Sequence, residues 1–443
     1  MRQLTQFGVV FPDAYLNSME AGSAVVVQNR RCVHSQACPT HMKTKPYTYT
    51  SSTLKLLVLA AACGASSVWA DEPNPYYIGA SETVKSDSNI RRAAEGKEVS
   101  DVISSTGVRA GLDQPLGRQR LRASLAANAN RYRSNSELNN TDYDFGTSLD
   151  WETIERLSGV LSVNSRQALY QDTSLTSVGR NMLRTDSAAF QARLGVVTEF
   201  SFDLGASARR QRYSNDLYKG ANLREHTIDG GIRYQPTPDW SVRFGLRRTD
   251  GTYADAIPSD DVARNDVELT SFLRLTGAST LDARLSHTAE KHTAANKNNT
   301  NGFTGALSWN WVITGKSSVG LTYSRDTNVG SRNDPNLPTS LTGSADSVLS
   351  NILSLRSTWQ PTSKIRLNAN LAYSKRRLDG GTLVGDVTDK TQSLSLGVSY
   401  AVLRNLDLGC GVLWEERKAD QLIAQSYSYT DKTFNCYGQV FLR

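Results

Sequence analysis

Downstream of residue 75 the chain changes polarity at every second position, repeatedly and over long segments. In IRLNANLAYSKR, Ile365, Leu367, Ala369, Leu371 and Tyr373 fall on one face and Arg366, Asn368, Asn370, Ala372 and Ser374 on the other. QSLSLGVSY sets Leu394, Leu396, Val398 and Tyr400 against Ser393, Ser395, Gly397 and Ser399, and WSVRFGLRR sets Trp240, Val242, Phe244 and Leu246 against Ser241, Arg243, Gly245 and Arg247. A period of two is that of a strand whose faces meet different surroundings. Soluble strands usually stop at ~5–6 residues, whereas a strand crossing a hydrocarbon layer at a tilt needs ~9–11. The length of these alternations therefore favours a membrane sheet over a soluble sandwich.

Eighteen such segments fit between residues 76 and 442, with 187–199, 264–276, 363–375 and 404–415 among them. Tight links such as QPLG (115–118), PTPD (236–239), TGK (314–316) and PTSK (361–364) alternate with longer polar ones at 169–186, 251–263, 327–347 and 416–429. The expectation is all-β: a transmembrane antiparallel β-barrel of about 18 strands, with 16 as the alternative. Both termini and the short turns would be periplasmic and the long loops outside. Closure satisfies every backbone polar group without a fully apolar sequence, and no apolar run after residue 70 is long enough for a membrane helix. Trp240, Trp311, Trp359 and Phe200 sit beside short turns, as an interfacial aromatic girdle would. The plainer reading is that aromatics are common in strands.

Residues 54–70, LKLLVLAAACGASSVWA, follow Lys43 and Lys45 and end in Val68-Trp69-Ala70. The apolar part is too short to span a bilayer and reads as an export signal, 42–70, cleaved before Asp71. Residues 1–41 add no export feature and read as an over-extended start, leaving 71–443 as a single outer-membrane barrel. Met1–Ala70 hold 6 of the 50 basic residues and 2 of the 43 acidic ones, so the remainder is nearly neutral and its charge makes no case for nucleic acid. The exported part keeps only Cys410 and Cys436, too few for a disulfide-built scaffold.

PYYIGASETVKSDSNIRR (75–92) and SDVISSTGVRAGLDQPLGRQRLRASLAANANRY (100–132) resemble a family of outer-membrane β-barrel proteins encoded with bacterial exopolysaccharide synthesis genes, within the β-barrel porin superfamily. The resemblance rests on Asp87-Ser88-Asn89 and on Pro115-Leu116-Gly117-Arg118-Gln119-Arg120. It implies export of a secreted polysaccharide across the outer membrane, or support for it, with the polymer, outer-membrane lipids and periplasmic export components as partners. The last strand, TFNCYGQVFLR, departs from the usual outer-membrane signal because Arg443 replaces a terminal aromatic.

A catalytic reading finds no support. His226, His287 and His292 are the only histidines after residue 70, and the spacing of His287 and His292 matches no common zinc motif, so no enzyme, cofactor or metal is expected. If the apolar face of each strand meets lipid, Arg120, Arg122, Arg193, Arg233, Arg243, Arg247, Arg274, Arg284, Arg356 and Arg366 line the lumen with Asp150, Glu199, Asp203, Asp229, Glu268, Asp282 and Asp407. Mixed charge across a wet pore suits hydroxyl-rich or anionic solutes; the plainer alternative is that the arginines only pair with the acids. Cys410 and Cys436 fall on the apolar faces of the last two strands, opposite one another if the register centres near residue 423, and are expected to form a disulfide. This parity turns Tyr437 and Phe441 inward, unless a bulge intervenes. Three functions stay open at this point: polysaccharide export, a general small-solute porin, and a structural barrel whose outer loops bind secreted matrix.

Overall fold

A computed structural model describes residues 74–442 apart from 154–155, 172–178, 196–198, 295–298, 328, 330–347, 380–385 and 421–425. The expected export signal and over-extended start, and Arg443, lie outside the described residues. The strands are β1 (Tyr76–Asp87), β2 (Asp101–Leu116), β3 (Gln119–Tyr132), β4 (Asn140–Glu152), β5 (Leu157–Leu169), β6 (Met182–Leu194), β7 (Phe200–Tyr213), β8 (Leu223–Thr237), β9 (Trp240–Tyr253), β10 (Asp260–Thr276), β11 (Ser279–His292), β12 (Thr300–Thr314), β13 (Ser317–Asp326), β14 (Val348–Trp359), β15 (Ile365–Asp379), β16 (Asp386–Leu403), β17 (Leu406–Ala419) and β18 (Tyr429–Leu442).

Each strand pairs antiparallel with its sequence neighbours, and β1 also pairs with β18, from Ile78↔Leu442 to Asp87↔Thr433. The sheet closes on itself and has no free edge, which is how a β structure meets lipid without unsatisfied backbone groups. Tight turns at one end, among them Gly117-Arg118 and Gly315-Lys316, oppose longer links at the other. Gly117 takes φ +67° in its turn, a conformation costly for any residue with a Cβ. Register shifts at 234/237, 274/276, 312/314 and 401/403 all lie at the short-turn end, where bulges re-aim strands into tight turns.

Two differences from the sequence expectation have local causes. The alternation through Phe190, Ala192, Leu194 and Val196 suggests a strand at 187–199, but β6 ends at Leu194 because Gly195 turns the chain at φ +100°. The strand therefore begins at Met182, and its long link shortens to 170–181. Strands also run further toward the long-loop end than their apolar alternation does: β15 continues to Asp379 and β17 to Ala419.

The outer face carries the large exposed apolar side chains, for example Phe202, Leu204, Ile228, Phe244, Leu285 and Phe303. Phe200, Trp240, Trp311 and Trp359 are exposed on this face near the short turns. Cys410 and Cys436 are direct cross-strand partners on it and are joined, S–S 2.10 Å. Register along β18 is continuous against both β17 and β1, so Tyr437 and Phe441 do point inward. Their rings have room because they lie over glycines of adjacent strands, Tyr437 over Gly409 and Phe441 over Gly79.

Candidate functional site

The inner face is polar along every strand. Alternation places all ten sequence-derived arginines on it: Arg243 and Arg247, for instance, share the side of buried Ser241 and Thr249, opposite exposed Trp240, Phe244 and Leu246. At least eight of the ten meet acids among the described residues. Arg120 pairs with Asp113 at 2.5 Å, Arg122 with Asp150, and Arg274 with Asp239 at 3.1 Å. The other five belong to one ladder across the wall. Asp203 on β7 receives Arg193 of β6 at 2.8 Å, Arg233 of β8 at 3.1 Å and Arg243 of β9 at 3.2 Å. Arg243 reaches Asp229 at 2.9 Å and Glu268 at 3.9 Å, and Arg247 lies 3.9 Å from Asp266. Arg264 of β10 then bridges Asp266 at 3.0 Å and Asp326 at 2.9 Å, and Arg284 of β11 closes on Asp326 at 3.0 Å. Arg366 donates from Nε and Nη2 to Gln360, both at 3.0 Å, once that amide is turned to accept. Arg356 is on the inner face opposite Asn370.

Accessibility divides these arginines. The side chains of Arg120, Arg122, Arg193 and Arg274 are 47, 41, 33 and 42% exposed, whereas those of Arg243, Arg247 and Arg284 are 8, 9 and 9%. The first four lie within a few residues of the short turns; on β5 and β4, farther from the turn, Arg166 and Asp144 are exposed as well, 51 and 56%. On β9, β11, β15, β16 and β18 the inner positions toward the long-loop end are closed over: Thr249, Ser286, Thr288, Ser374, Asp389 and Asp431 are fully buried.

Link residues account for part of that burial. Between β1 and β2, Asn89, Ile90 and Arg92 turn inward, Ile90 packing on Ile103 and Leu138. After β13, Val329 packs on Leu223, Tyr253 and Val262, while Arg264 Nη1 donates to Thr327 Oγ1 at 2.9 Å and to the Val329 carbonyl at 2.8 Å. Before β18, Ser426 and Tyr427 are buried, and Ser426 Oγ donates to Asp389 at 2.9 Å. Asp389 is also gripped by Arg376, whose Nε and Nη2 donate at 2.8 and 2.5 Å. Arg417 lies 5.0 Å over the Tyr429 ring, and the Tyr429 hydroxyl donates to Glu415 at 2.8 Å.

Arg92, Arg264, Arg376 and Arg417, which anchor these inward segments, are absent from the sequence-derived set. Parity did carry a signal for three of them. Arg264 shares the face of Arg274, Arg376 that of Arg366, and Arg417 that of Asp407. Among the acids of that set, Glu199 lies in the turn before β7 instead of on the wall. The histidines separate as well. His287 faces outward with its ring edge on Phe303, and His292 is held inside between Asp260 at 2.7 Å and Glu290 at 3.2 Å.

No protein-family model matches the sequence, and no curated protein is significantly similar to it. Solved structures similar to the chain include Pseudomonas aeruginosa OpdK with vanillate, 11% identical, covering 83% of this chain and 99% of that one at a TM-score of 0.47. Acinetobacter baumannii OccAB3 is 10% identical with coverage of 83% and 99% and a TM-score of 0.45, and Pseudomonas aeruginosa OpdL 9% with the same coverage and 0.44. The closed eighteen-strand sheet, apolar outside and charged within, has the architecture of an outer-membrane β-barrel.

Proposed function

We propose that the barrel is a passive outer-membrane channel for small polar or anionic solutes, with its long-loop end facing outward and its termini in the periplasm. The observation that carries this is the asymmetry of the inner wall. Solvated arginines and acids line the short-turn half, and in the long-loop half the link residues Asn89, Arg92, Thr327, Val329 and Ser426 pack against the inner wall. A polymer in transit needs clearance along the whole lumen, whereas a small hydrated solute needs only a narrow polar path with fixed charges that replace its water.

The test is swelling of proteoliposomes containing the purified barrel, together with planar-bilayer conductance. Single-channel steps and rapid swelling with monosaccharides and small carboxylates are expected, with exclusion of long oligosaccharides. Absence of conductance, or swelling with long oligosaccharides equal to that with monosaccharides, would overturn the proposal. Replacing Arg122 and Arg193 together with Gln should move the reversal potential toward cation preference, because both guanidiniums reach solvent.

Export of a polysaccharide is the second reading and rests on the motifs at 75–132. It requires that the inward segments move aside, and it would be favoured by the oligosaccharide result just named. Orientation has its own check. Leu217 is 71% exposed in the link between β7 and β8, and Arg118 is exposed in a short turn. Leu217→Cys should react with an impermeant maleimide on intact cells and Arg118→Cys only after the outer membrane is opened; the reverse pattern would invert the barrel.

A further inference from the structure

On the outer face, the change from apolar to cationic comes at a constant height. Ten residues separate Leu194 from Arg184 on β6, Phe200 from Arg210 on β7, and Tyr234 from Arg224 on β8; the same interval recurs from Ile365 to Lys375, Tyr400 to Lys390 and Leu408 to Lys418 on β15, β16 and β17. At ~3.3 Å per residue and a tilt of ~40°, that interval is about 25 Å of membrane, the height of the apolar band of such barrels. The cations thus sit where hydrocarbon gives way to headgroups, on the side of the long loops.

Their pairing is unusual for a sheet. Arg184 is directly opposite Arg212 across β6 and β7, and Arg210 directly opposite Arg224 across β7 and β8. On the other side of the barrel Lys375, Lys390 and Lys418 form a direct row across three strands. Like charges at directly opposed positions repel and destabilise a sheet. In the arginine patch one acid offsets this in part: Asp186 receives Arg184 Nε at 2.9 Å and Arg212 Nη2 at 3.1 Å, and Ser165 Oγ at 2.6 Å. Arg212 Nε is buried without a hydrogen-bond partner, and among the described residues Arg210 and Arg224 make no ion pair although both are exposed. Nearby, Asp250 is already engaged by Arg248 at 2.8 Å. The patch keeps a surplus of guanidinium donors at the edge of the hydrocarbon, with apolar side chains such as Ala206, Ala208, Ile228 and Leu246 below it.

We propose that this face of β6–β8 binds the phosphate of an outer-leaflet glycolipid, the guanidiniums of Arg184, Arg210, Arg212 and Arg224 clasping the headgroup while its acyl chains lie on the apolar band. A phosphate accepts forked hydrogen bonds from several guanidiniums at once, and this relieves the cross-strand repulsion. The inference rests on the outward orientation of the long loops, which the maleimide labelling tests separately. Lipid binding by the purified barrel does not depend on that result.

The experiment is native mass spectrometry of the purified barrel in neutral detergent, with bisphosphorylated lipid A, with the same lipid stripped of phosphate, and with inorganic phosphate as competitor. Retention of the phosphorylated lipid should exceed that of the stripped lipid, and Arg210→Gln with Arg224→Gln should lower it at least about tenfold. That pair is chosen because neither residue holds an acid, so folding is spared; the fourfold variant that adds Arg184→Gln and Arg212→Gln should lose retention further. The inner-wall variant Arg122→Gln with Arg193→Gln should bind as the unaltered barrel does. Equal retention of both lipids, or unchanged binding by the folded double variant, would overturn the site. Full displacement by inorganic phosphate would reassign it to free anions and overturn the lipid assignment.

Discussion

Replacing Arg264 with Met is expected to raise single-channel conductance and to lower the stability of the folded barrel. Arg264 has no exposed side-chain surface, and its guanidinium pairs with Asp266 and Asp326 while donating to Thr327 Oγ1 and the Val329 carbonyl. Met fills similar volume without any of these bonds. Breaking a buried ion pair by removing one partner costs about 3–5 kcal/mol, because the other charge stays behind without compensation. The loss here falls toward the lower end, since Asp326 keeps Arg284 at 3.0 Å and Thr288 Oγ1 still donates to Asp266. The conductance effect has a separate origin. Val329 is held against Leu223, Tyr253 and Val262 by the same guanidinium, so its loss frees Thr327 and Val329 to leave the inner wall. Adding Asp266→Asn removes the carboxylate left, among the described cations, with only Arg247, at 3.9 Å, while Asp326 keeps Arg284, and should recover part of the denaturant midpoint without restoring the narrow conductance. Conductance unchanged in a folded Arg264→Met barrel would show that Thr327 and Val329 do not narrow the path.

The strands were legible in the sequence because a membrane sheet must alternate wherever its two faces meet lipid and water. Within the hydrocarbon band the parity of Trp240, Phe244 and Leu246 suffices to place Arg243 and Arg247 inside. Beyond the band both faces are wet, alternation fades, and the ends of β15, β16 and β17 become illegible. This is also where Arg376 and Arg417 lie, beyond the expected strands 363–375 and 404–415; Arg264, at the start of the expected strand 264–276, was legible by parity and left out of the inner-wall set. Arg92 was beyond reach for another reason. It belongs to no strand, and its three acids come from positions 87, 415 and 431, a convergence created only when the barrel closes.

The motifs behind the family resemblance have structural duties in this barrel. Asn89 is fully buried; its Nδ2 donates to the carbonyls of Ala93 and Thr430 at 2.8 and 3.2 Å, and its Oδ1 accepts from the Ala93 amide at 2.8 Å. Gly117 makes the β2–β3 turn, and Arg120 pairs with Asp113 on the adjacent strand. These residues report how the sheet turns and closes, so a likeness confined to them speaks to architecture more directly than to cargo.

Replacing Arg92 with Ala should have the larger effect on folding. Its guanidinium faces three carboxylates at the seam where the last strands meet the first: Asp87 of β1 at 3.2 Å, Glu415 of β17 at 3.3 Å and Asp431 of β18 at 3.1 Å. All three are nearly inaccessible, and Lys85 supports only Asp87, at 3.2 Å. Alanine would leave a cluster of like charges in a closed interior, at a cost of about 3–5 kcal/mol or more, concentrated on the one pairing that joins the two ends of the sheet. The expected result is a sharp fall in the fraction that runs as a compact, heat-modifiable barrel on gels. Arg92 also stands at φ +50°, outside the usual range for a side-chain-bearing residue. Arg92→Gly should therefore be less damaging than Arg92→Ala by about 1 kcal/mol, since glycine removes the backbone strain but not the charge defect. Adding Asp87→Asn and Asp431→Asn to Arg92→Ala should recover much of the compact form by removing the repulsion. An Arg92→Ala barrel that assembles and unfolds like the unaltered protein would mean that the β1–β18 hydrogen bonds close the sheet without this staple.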